Sequence, residues 1–245
     1  MNCVSYHEYL NIKKTLEEND IELIPTKGNI VDSIWEDRPS PVISKVQIYP
    51  DEFNGCPSPQ KRQNLANALR KKDLDATVIC DPESICWLLN IRGRDRKSLP
   101  IVNCRMVAYS NETLEWYIDD QHFDEEALQD LESHFGHIDI FPENRFDDVL
   151  ERLCSSSSTV FADPESVNAH VLSTLYEGGA HVVEGLGLCQ MPKACKNQIE
   201  ITGEYKAHIK DGIAMCRFLS WLDDQTQMET FTDSETFNRR VEDID

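Results

Sequence analysis

One strand that leads directly into a capped helix constrains the fold of this chain most strongly. Thr77-Val-Ile-Cys80 is a short apolar run rich in β-branched residues, which is typical of a buried strand. Asp81-Pro82 follows it, and an Asp that can cap a helix before a Pro that suits the first helical position predicts a helix start. We expect this helix to end in an exposed polar turn over residues 90–95, in which Gly93 is free to take a positive φ.

The same strand-to-helix pattern occurs a second time. Thr159-Val-Phe-Ala-Asp-Pro-Glu-Ser166 repeats residues 77–84 almost letter for letter, so we expect a second buried strand followed by an Asp-capped helix. Between the two copies, residues 102–109 and 113–118 are predicted to form a hairpin. Predicted strands and helices alternate over residues 44–188, which indicates an α/β domain with a mixed sheet flanked by helices.

The part of the chain before this domain is short. A helix is predicted over Ser5–Glu18 and a strand over Ile21–Ile24, and a stiff Arg38-Pro-Ser-Pro41 linker follows. One helix and one strand cannot bury their own apolar faces, so we expect this piece either to pack on the α/β domain or to have lost its sheet from the N-terminus. The predicted domains are residues 1–43, 44–190 and 191–245.

After Met191-Pro192 the pattern changes to long helices. Residues 197–224 are predicted to form one helix with an apolar stripe, and a capping box at Thr232 predicts the start of another. Gly203 and Gly212 lower helix propensity, so we interpret each as a point of close packing against another backbone. We expect the stripe to be partly exposed and to invite association. It comprises Ile199, Tyr205, Ile209, Ile213, Cys216, Leu219 and Leu222.

The charge balance excludes several classes of partner. The 24 Lys and Arg are outnumbered by 44 Asp and Glu, which gives a net charge of −20. Nucleic acid and anionic membranes need a basic patch, so neither is expected to bind. The nine cysteines have no Cys-x-x-Cys spacing, and several, including Cys80, Cys86 and Cys216, lie among apolar neighbours. Buried reduced thiols of this kind favour a cytoplasmic location.

Three segments resemble, in register and in order, the long-form Xaa-Pro aminopeptidases, also called aminopeptidase P. Glu83-Ser-Ile-Cys-Trp-Leu-Leu-Asn-Ile-Arg-Gly-Arg-Asp95 is similar to their D-x-I-A-W-L-x-N-L/I-R-G-S-D segment, with Cys86 for the usual Ala and Arg94 for the usual Ser. Residues 23–39 resemble the end of their N-terminal domain, L-x-P-x-x-x-N-L-V-D-x-I-W-x-D-R-P. Residues 193–211 resemble the opening of their catalytic domain, K-A-x-K-N-x-x-E-x-x-G-x-x-x-A-H-I-R/K-D.

The resemblance implies a creatinase-type N-terminal domain, a similar α/β middle domain and a "pita-bread" metallopeptidase domain. Such enzymes form dimers and use two divalent ions, usually manganese, to release the residue before Pro at position two of a peptide. Their metal ligands and catalytic histidines correspond to positions beyond residue 245. We therefore expect a fragment of a manganese-dependent enzyme that is inactive alone. The alternative is a non-catalytic interaction or dimerisation module.

Four residues are candidates for supporting roles, and none is predicted to be catalytic or to bind metal. His208 and Asp211 lie three apart on the long predicted helix, in a motif that lines the family's catalytic domain without belonging to its metal ligands. Arg92 and Asp95 lie in the polar turn and are interpreted, with Arg94, as packing or interface residues. His134 and His137 are interpreted as solvent-exposed histidines of a turn around Gly136.

Overall fold

The computed structural model of the chain describes residues 4–227, apart from residues 25, 27 and 30. The helix predicted from Thr232 therefore lies outside the described residues. The chain divides into two compact units, Met1–Cys195 and Lys196–Asp245. Residues 1–43 thus belong to the same unit as the α/β domain.

The described residues of the first unit contain eight α-helices, two 3-10 helices (Asp120–His122 and Glu143–Arg145) and eight strands. The helices are α1 (Tyr6–Glu17), α2 (Asp51–Asn54), α3 (Ser58–Arg70), α4 (Pro82–Leu89), α5 (Glu125–Phe135), α6 (Phe146–Ser155), α7 (Ala169–Glu177) and α8 (Gln190–Ala194). The strands are β1 (Gln47–Ile48), β2 (Ala76–Ile79), β3 (Ile91–Arg92), β4 (Arg105–Tyr109), β5 (Leu114–Tyr117), β6 (Asp139–Phe141), β7 (Thr159–Ala162) and β8 (His181–Glu184).

Six of the strands form one mixed sheet in the order β6-β5-β4-β2-β7-β8, and β1 pairs with β3. In the large sheet β4 is antiparallel to β2 and β5, whereas the β5–β6, β2–β7 and β7–β8 pairs are parallel. The predicted hairpin is confirmed as β4–β5, although its first strand begins at Arg105 and not at residue 102. The predicted α/β fold with a mixed sheet is thus confirmed.

Two hydrophobic cores lie on opposite sides of the sheet. The first includes side chains of α3, α4 and α5 around Trp116, whose ring makes edge contacts with Phe123 and Phe135 at centroid distances of 5.5 and 6.1 Å. The second includes side chains of α6 and α7, and there Tyr117 makes an edge contact with Phe146 at 5.1 Å. Successive residues of a strand point to opposite faces, so Trp116 and Tyr117 of β5 anchor one core each.

The second Asp-Pro pair does not start a helix, so that prediction was wrong. Asp163 is followed by a turn, and α7 begins only at Ala169, capped by Asn168, whose side chain accepts from the Val171 N–H at 3.0 Å. The turn carbonyls accept hydrogen bonds from the first turn of α1, including Tyr6 N–H to Val167 O at 2.9 Å. A better cap five residues later and these contacts to α1 override the local Asp-Pro signal.

The opening segment packs on the α/β fold. Its helix, α1, is confirmed, with Ser5 and Glu8 forming a capping box at its start. The Tyr6 ring lies 5.8 Å from the ring of Tyr176 in α7. The strand predicted at Ile21–Ile24 was wrong, because these residues take part in no sheet among the described residues. A strand needs a neighbour to satisfy its backbone groups, and no described segment pairs with residues 21–24.

The described part of the second unit is one helix, α9 (Gln198–Gln227). Much of its apolar stripe is exposed, as predicted: Ile199, Tyr205, Ile209, Ile213 and Leu219 expose between 45 and 71% of their surface. Cys216 is also exposed, which contradicts its prediction as a buried thiol. A Cβ on Gly203 or Gly212 would meet no described atom within 4 Å, so the close packing predicted at both glycines is not observed.

Candidate functional site

Asp95 is buried, which corrects the expectation of an exposed turn after α4. Its side chain is only 1% exposed. Its Oδ1 accepts hydrogen bonds from the Ser44 N–H at 2.8 Å and from Ser44 Oγ at 2.7 Å, and its Oδ2 accepts from the Asn103 N–H at 2.6 Å. Asp95 therefore joins the turn to the linker before β1 and to the segment before β4.

Ser44, His122 and Asp95 lie together, but their geometry is structural. The His122 ring donates from Nδ1 to the Ser44 carbonyl at 2.6 Å, and its Nε2 lies 3.5 Å from Asp95 Oδ2. A nucleophilic serine would have to donate its hydroxyl proton to the histidine. Ser44 Oγ instead donates to Asp95 and accepts from the Arg94 N–H at 2.6 Å. This buried group holds three segments together and does not activate a nucleophile.

The backbone of the turn is set by residues other than the one predicted. Asn90, and not Gly93, takes the left-handed conformation, with φ 53°. Gly93 is required for space, because a Cβ there would lie 2.3 Å from Val102 Cγ1. Lys61 is buried and donates to the Trp87 carbonyl at 2.9 Å and to Asn90 Oδ1 at 2.6 Å. Its positive charge thus lies at the carboxyl end of α4, where it interacts favourably with the helix dipole.

Neither Arg92 nor Arg94 forms an ion pair with Asp95 among the described residues. The Arg92 guanidinium lies 4.3 Å from the centroid of the Tyr49 ring, and its Nη1 donates to the Ile91 carbonyl at 2.8 Å. The Arg94 side chain is exposed, and only its backbone N–H contributes to the buried group. The Arg92 side chain thus packs against Tyr49 within this chain.

A second polar group lies at the carboxyl ends of the parallel strands β2 and β7. Asp81, which follows β2, caps α4 by accepting from the Glu83 N–H at 3.1 Å and accepts from Ser84 Oγ at 2.5 Å. Lys193 of α8 reaches the same carboxylate, with its Nζ 3.4 Å from Asp81 Oδ2 and 3.8 Å from Glu83 Oε2. The predicted cap of α4 is confirmed, and Lys193 links α8 to the start of α4 through these ion pairs.

Asp163 occupies the position after β7 that Asp81 occupies after β2. Its Oδ1 accepts from the Glu165 N–H at 3.0 Å, and its Oδ2 accepts from the Gly187 N–H at 3.0 Å and from Gln190 Nε2 at 2.7 Å. Cys189 is buried in the same segment, and desolvation raises the pKa of its thiol to about 12. Together Asp81 and Asp163 hold residues 185–194 against the carboxyl edge of the sheet.

Comparison with known proteins identifies the family. Residues 37–200 match the model of the creatinase/prolidase N-terminal domain. The chain belongs to this family. It is 27% identical to the Xaa-Pro aminopeptidase ApepP of Drosophila melanogaster over 91% of its own length and 36% of that protein. It is 31% identical to the probable Xaa-Pro aminopeptidase P of Leptosphaeria maculans over 80% of its own length and 33% of that protein.

A solved structure gives the same relationship. The crystal structure of an X-prolyl aminopeptidase from Caenorhabditis elegans, described as a cytosolic enzyme with a di-nuclear active site, matches with a TM-score of 0.81 and 25% identity. The match covers 91% of this chain and 36% of that one. The chain therefore spans about a third of the length of these relatives, and its α/β unit has the creatinase-type fold that the sequence predicts.

The described residues of this chain do not provide the ligands that a dinuclear metal centre needs. No group of three or more His, Cys, Asp or Glu side chains that could hold a metal occurs within the described residues. His208 and Asp211 both lie on α9 with exposed side chains. Their supporting role, like that of Arg92 and Asp95 in an interface, stays a prediction.

Several residues of the two polar groups were not predicted from the sequence. His122 and Ser44 lie 78 positions apart in the chain, and no local pattern marks them. The Asp-Pro repeat could have indicated the second polar group, because Asp81 and Asp163 each follow a strand and the two strands are adjacent and parallel. His137 is exposed as predicted, but His134 is half-buried, which corrects its interpretation as a solvent-exposed residue.

Proposed function

We propose that this chain supplies the non-catalytic α/β portion of an Xaa-Pro aminopeptidase, an enzyme that releases the N-terminal residue from peptides with Pro at position two. The supporting observation is the structural match to the C. elegans X-prolyl aminopeptidase over 91% of this chain, at a TM-score of 0.81. In this proposal residues 185–194, fastened by Asp81 and Asp163, fix the place where the chain leaves the α/β unit toward a catalytic domain of the pita-bread type.

The chain by itself is proposed to be inactive. A metal-activated hydroxide needs several converging ligands, and the described residues provide no group of three. Manganese is proposed as the metal of the whole enzyme, bound by residues outside this sequence. The cytosolic description of the C. elegans enzyme supports a cytoplasmic location. Among the described residues no helix has the length and apolar character that crossing a bilayer requires.

A chimera tests this proposal. Residues 37–195 replace the aligned segment of the Drosophila enzyme, and hydrolysis of an Arg-Pro-Pro peptide is followed with Mn²⁺ present. The unchanged Drosophila enzyme is the control. We expect the folded chimera to retain Pro-dependent cleavage, because the family fold is shared. A folded chimera that cleaves nothing would contradict the proposal.

The alternative function, an interaction or dimerisation module, has one observation in its favour. The apolar side chains of α9 are largely exposed, and such surface is typical of protein contacts. Self-association of the chain is expected under both functions, so light scattering on the purified chain distinguishes them only together with the activity of the chimera. A stable homodimer combined with an inactive chimera would favour the module.

A further inference from the structure

An apolar groove lies between helix α5 and the edge strand β6, far in the sheet order from the carboxyl ends of β7 and β8. We call it the α5–β6 groove. Its volume is about 420 Å³, within the usual range for ligand pockets. The apolar side chains that line it include Ile118, Phe123, Leu128, Leu131, Phe135 and Ile140. Leu128 and Ile140 expose 41 and 37% of their surface, so the groove opens to solvent.

The strand that borders the groove has a free edge. β6 is the first strand in the sheet order and pairs with β5 alone among the described residues. The Ile118 N–H donates to the Phe141 carbonyl at 3.0 Å, so the backbone groups of Phe141 face β5. Since backbone groups alternate along a strand, the N–H and C=O of Ile140 point to the open edge. A further strand can add there.

The rim of the groove is acidic. Asp120 and Glu132 line it with exposed carboxylates, and the exposed His137 ring lies 3.8 Å from Glu132 Oε1. Two cationic side chains near the groove, Lys45 and Arg62, already have other partners. Lys45 lies 2.6 Å from Asp124 Oδ1, and Arg62 donates to the carbonyls of Phe135 and His137 at 2.6 and 3.1 Å.

We propose that the α5–β6 groove binds an extended peptide segment that adds to β6 as a strand, with apolar side chains that face the groove at alternate positions and a Lys or Arg facing the same side at each end. The open edge supplies backbone hydrogen bonds, the groove takes the apolar side chains, and the acidic rim pairs with the basic ones. A second copy of this chain is disfavoured as the occupant, because a two-fold contact would bring the two acidic rims together.

The probe is a fluorescein-labelled Lys-Thr-Val-Thr-Val-Thr-Lys peptide, in which both Lys and both Val point to the same face of the strand, and its partner has Glu in place of both Lys. Binding to the full chain is measured by fluorescence anisotropy in 0.1 M salt. We expect the basic peptide to bind about tenfold more tightly than the acidic one. Equal binding of the two peptides would overturn the proposal.

Matched variants locate the site. Leu128→Gln removes an apolar contact from the groove, and Val183→Gln makes the same kind of change at the other edge strand, where Val183 is also 41% exposed. We expect Leu128→Gln to weaken binding of the basic peptide about fivefold and Val183→Gln to leave it unchanged. Equal losses in both variants would show edge binding without the groove and would overturn the proposal.

The acidic rim has its own test. Asp120→Asn combined with Glu132→Gln is expected to reduce the preference for the basic peptide about threefold, whereas Glu177→Gln on the exposed end of α7 leaves it unchanged. Equal reductions of this preference in the rim variant and in Glu177→Gln would mean that the overall charge of −20, and not the acidic rim, attracts the basic peptide. Self-association of the chain that Leu128→Gln abolishes would identify a second copy as the occupant and overturn the proposal. None of these readouts depends on peptidase activity.

Discussion

Asp95 fixes the turn after α4 by accepting three hydrogen bonds from Ser44 and Asn103. These donors belong to segments that flank the turn in space but lie up to 51 positions away in the chain. The carboxylate is withdrawn from water, so these donors replace the hydrogen bonds that it would make to water. Removing the carboxylate leaves buried N–H groups without an acceptor.

Asp95→Ala is therefore expected to lower the free energy of unfolding by about 3 kcal/mol, because buried donors lose their partner. Urea denaturation followed by circular dichroism measures the change. Arg94→Ala is the control, since this neighbouring side chain is exposed and its replacement is expected to shift stability by less than about 0.5 kcal/mol. Equal effects of the two substitutions would contradict the role given to Asp95.

The cysteines differ in their expected reactivity. Burial raises the pKa of the Cys80 and Cys86 thiols to about 11 and that of Cys189 to about 12, so these thiols stay protonated at pH 8. The thiolate is the nucleophile, and Cys195 and Cys216 are exposed. At pH 8 we expect iodoacetamide to modify Cys195 and Cys216 before Cys80, Cys86 and Cys189, as read by peptide mass spectrometry. In guanidinium chloride all nine should react, and early modification of Cys189 in the folded chain would be the contrary result.

The turn after α4 shows what local sequence can and cannot predict. The Asp81-Pro82 start of α4 is encoded in adjacent residues, and it was predicted correctly. The burial of Asp95 depends on Ser44 and Asn103, which the fold brings to it. Gly93 was correctly predicted to be important, but the reason was wrong. A glycine is required there because a side chain would clash with Val102, and not because the backbone takes a positive φ.

At the scale of elements, the two Asp-Pro pairs have related but different roles. Asp81 starts a helix, whereas Asp163 binds the segment that leads into α8. Nearly identical local sequences thus give different structures, because α1 and Asn168 act on only one of them. The parallel pairing of β2 and β7 nevertheless brings both aspartates to one edge of the sheet.

Asp163→Ala is expected to release residues 185–194, because the Gly187 N–H and the Gln190 side chain lose their common acceptor. Limited trypsin digestion should then cut faster after Lys193, by about tenfold if about 1.4 kcal/mol of local stability is lost. Glu165→Ala is the control in the same turn, since its side chain contacts only His7 among the described ion pairs, at 3.4 Å. Unchanged digestion of Asp163→Ala would mean that the segment is held by its buried apolar side chains.

At the scale of the whole molecule, the α/β unit buries two complete cores, while α9 leaves apolar side chains exposed. We expect the chain to bind a hydrophobic dye and to self-associate, and Ile209→Gln with Ile213→Gln to reduce both effects. Dye fluorescence and light scattering measure them. Val42→Gln is a control at another exposed apolar residue. A monodisperse wild-type monomer that binds no dye would contradict this account of α9.

The central claim is that this chain is a non-catalytic portion of an Xaa-Pro aminopeptidase. Calorimetric titration of the purified chain with Mn²⁺, with Arg-Pro-Pro hydrolysis followed in the same samples, tests it most directly. The account predicts no saturable binding of two ions and no release of the N-terminal residue, because the described residues offer no group of three metal ligands. Specific binding of two Mn²⁺ ions together with Pro-dependent cleavage would contradict it.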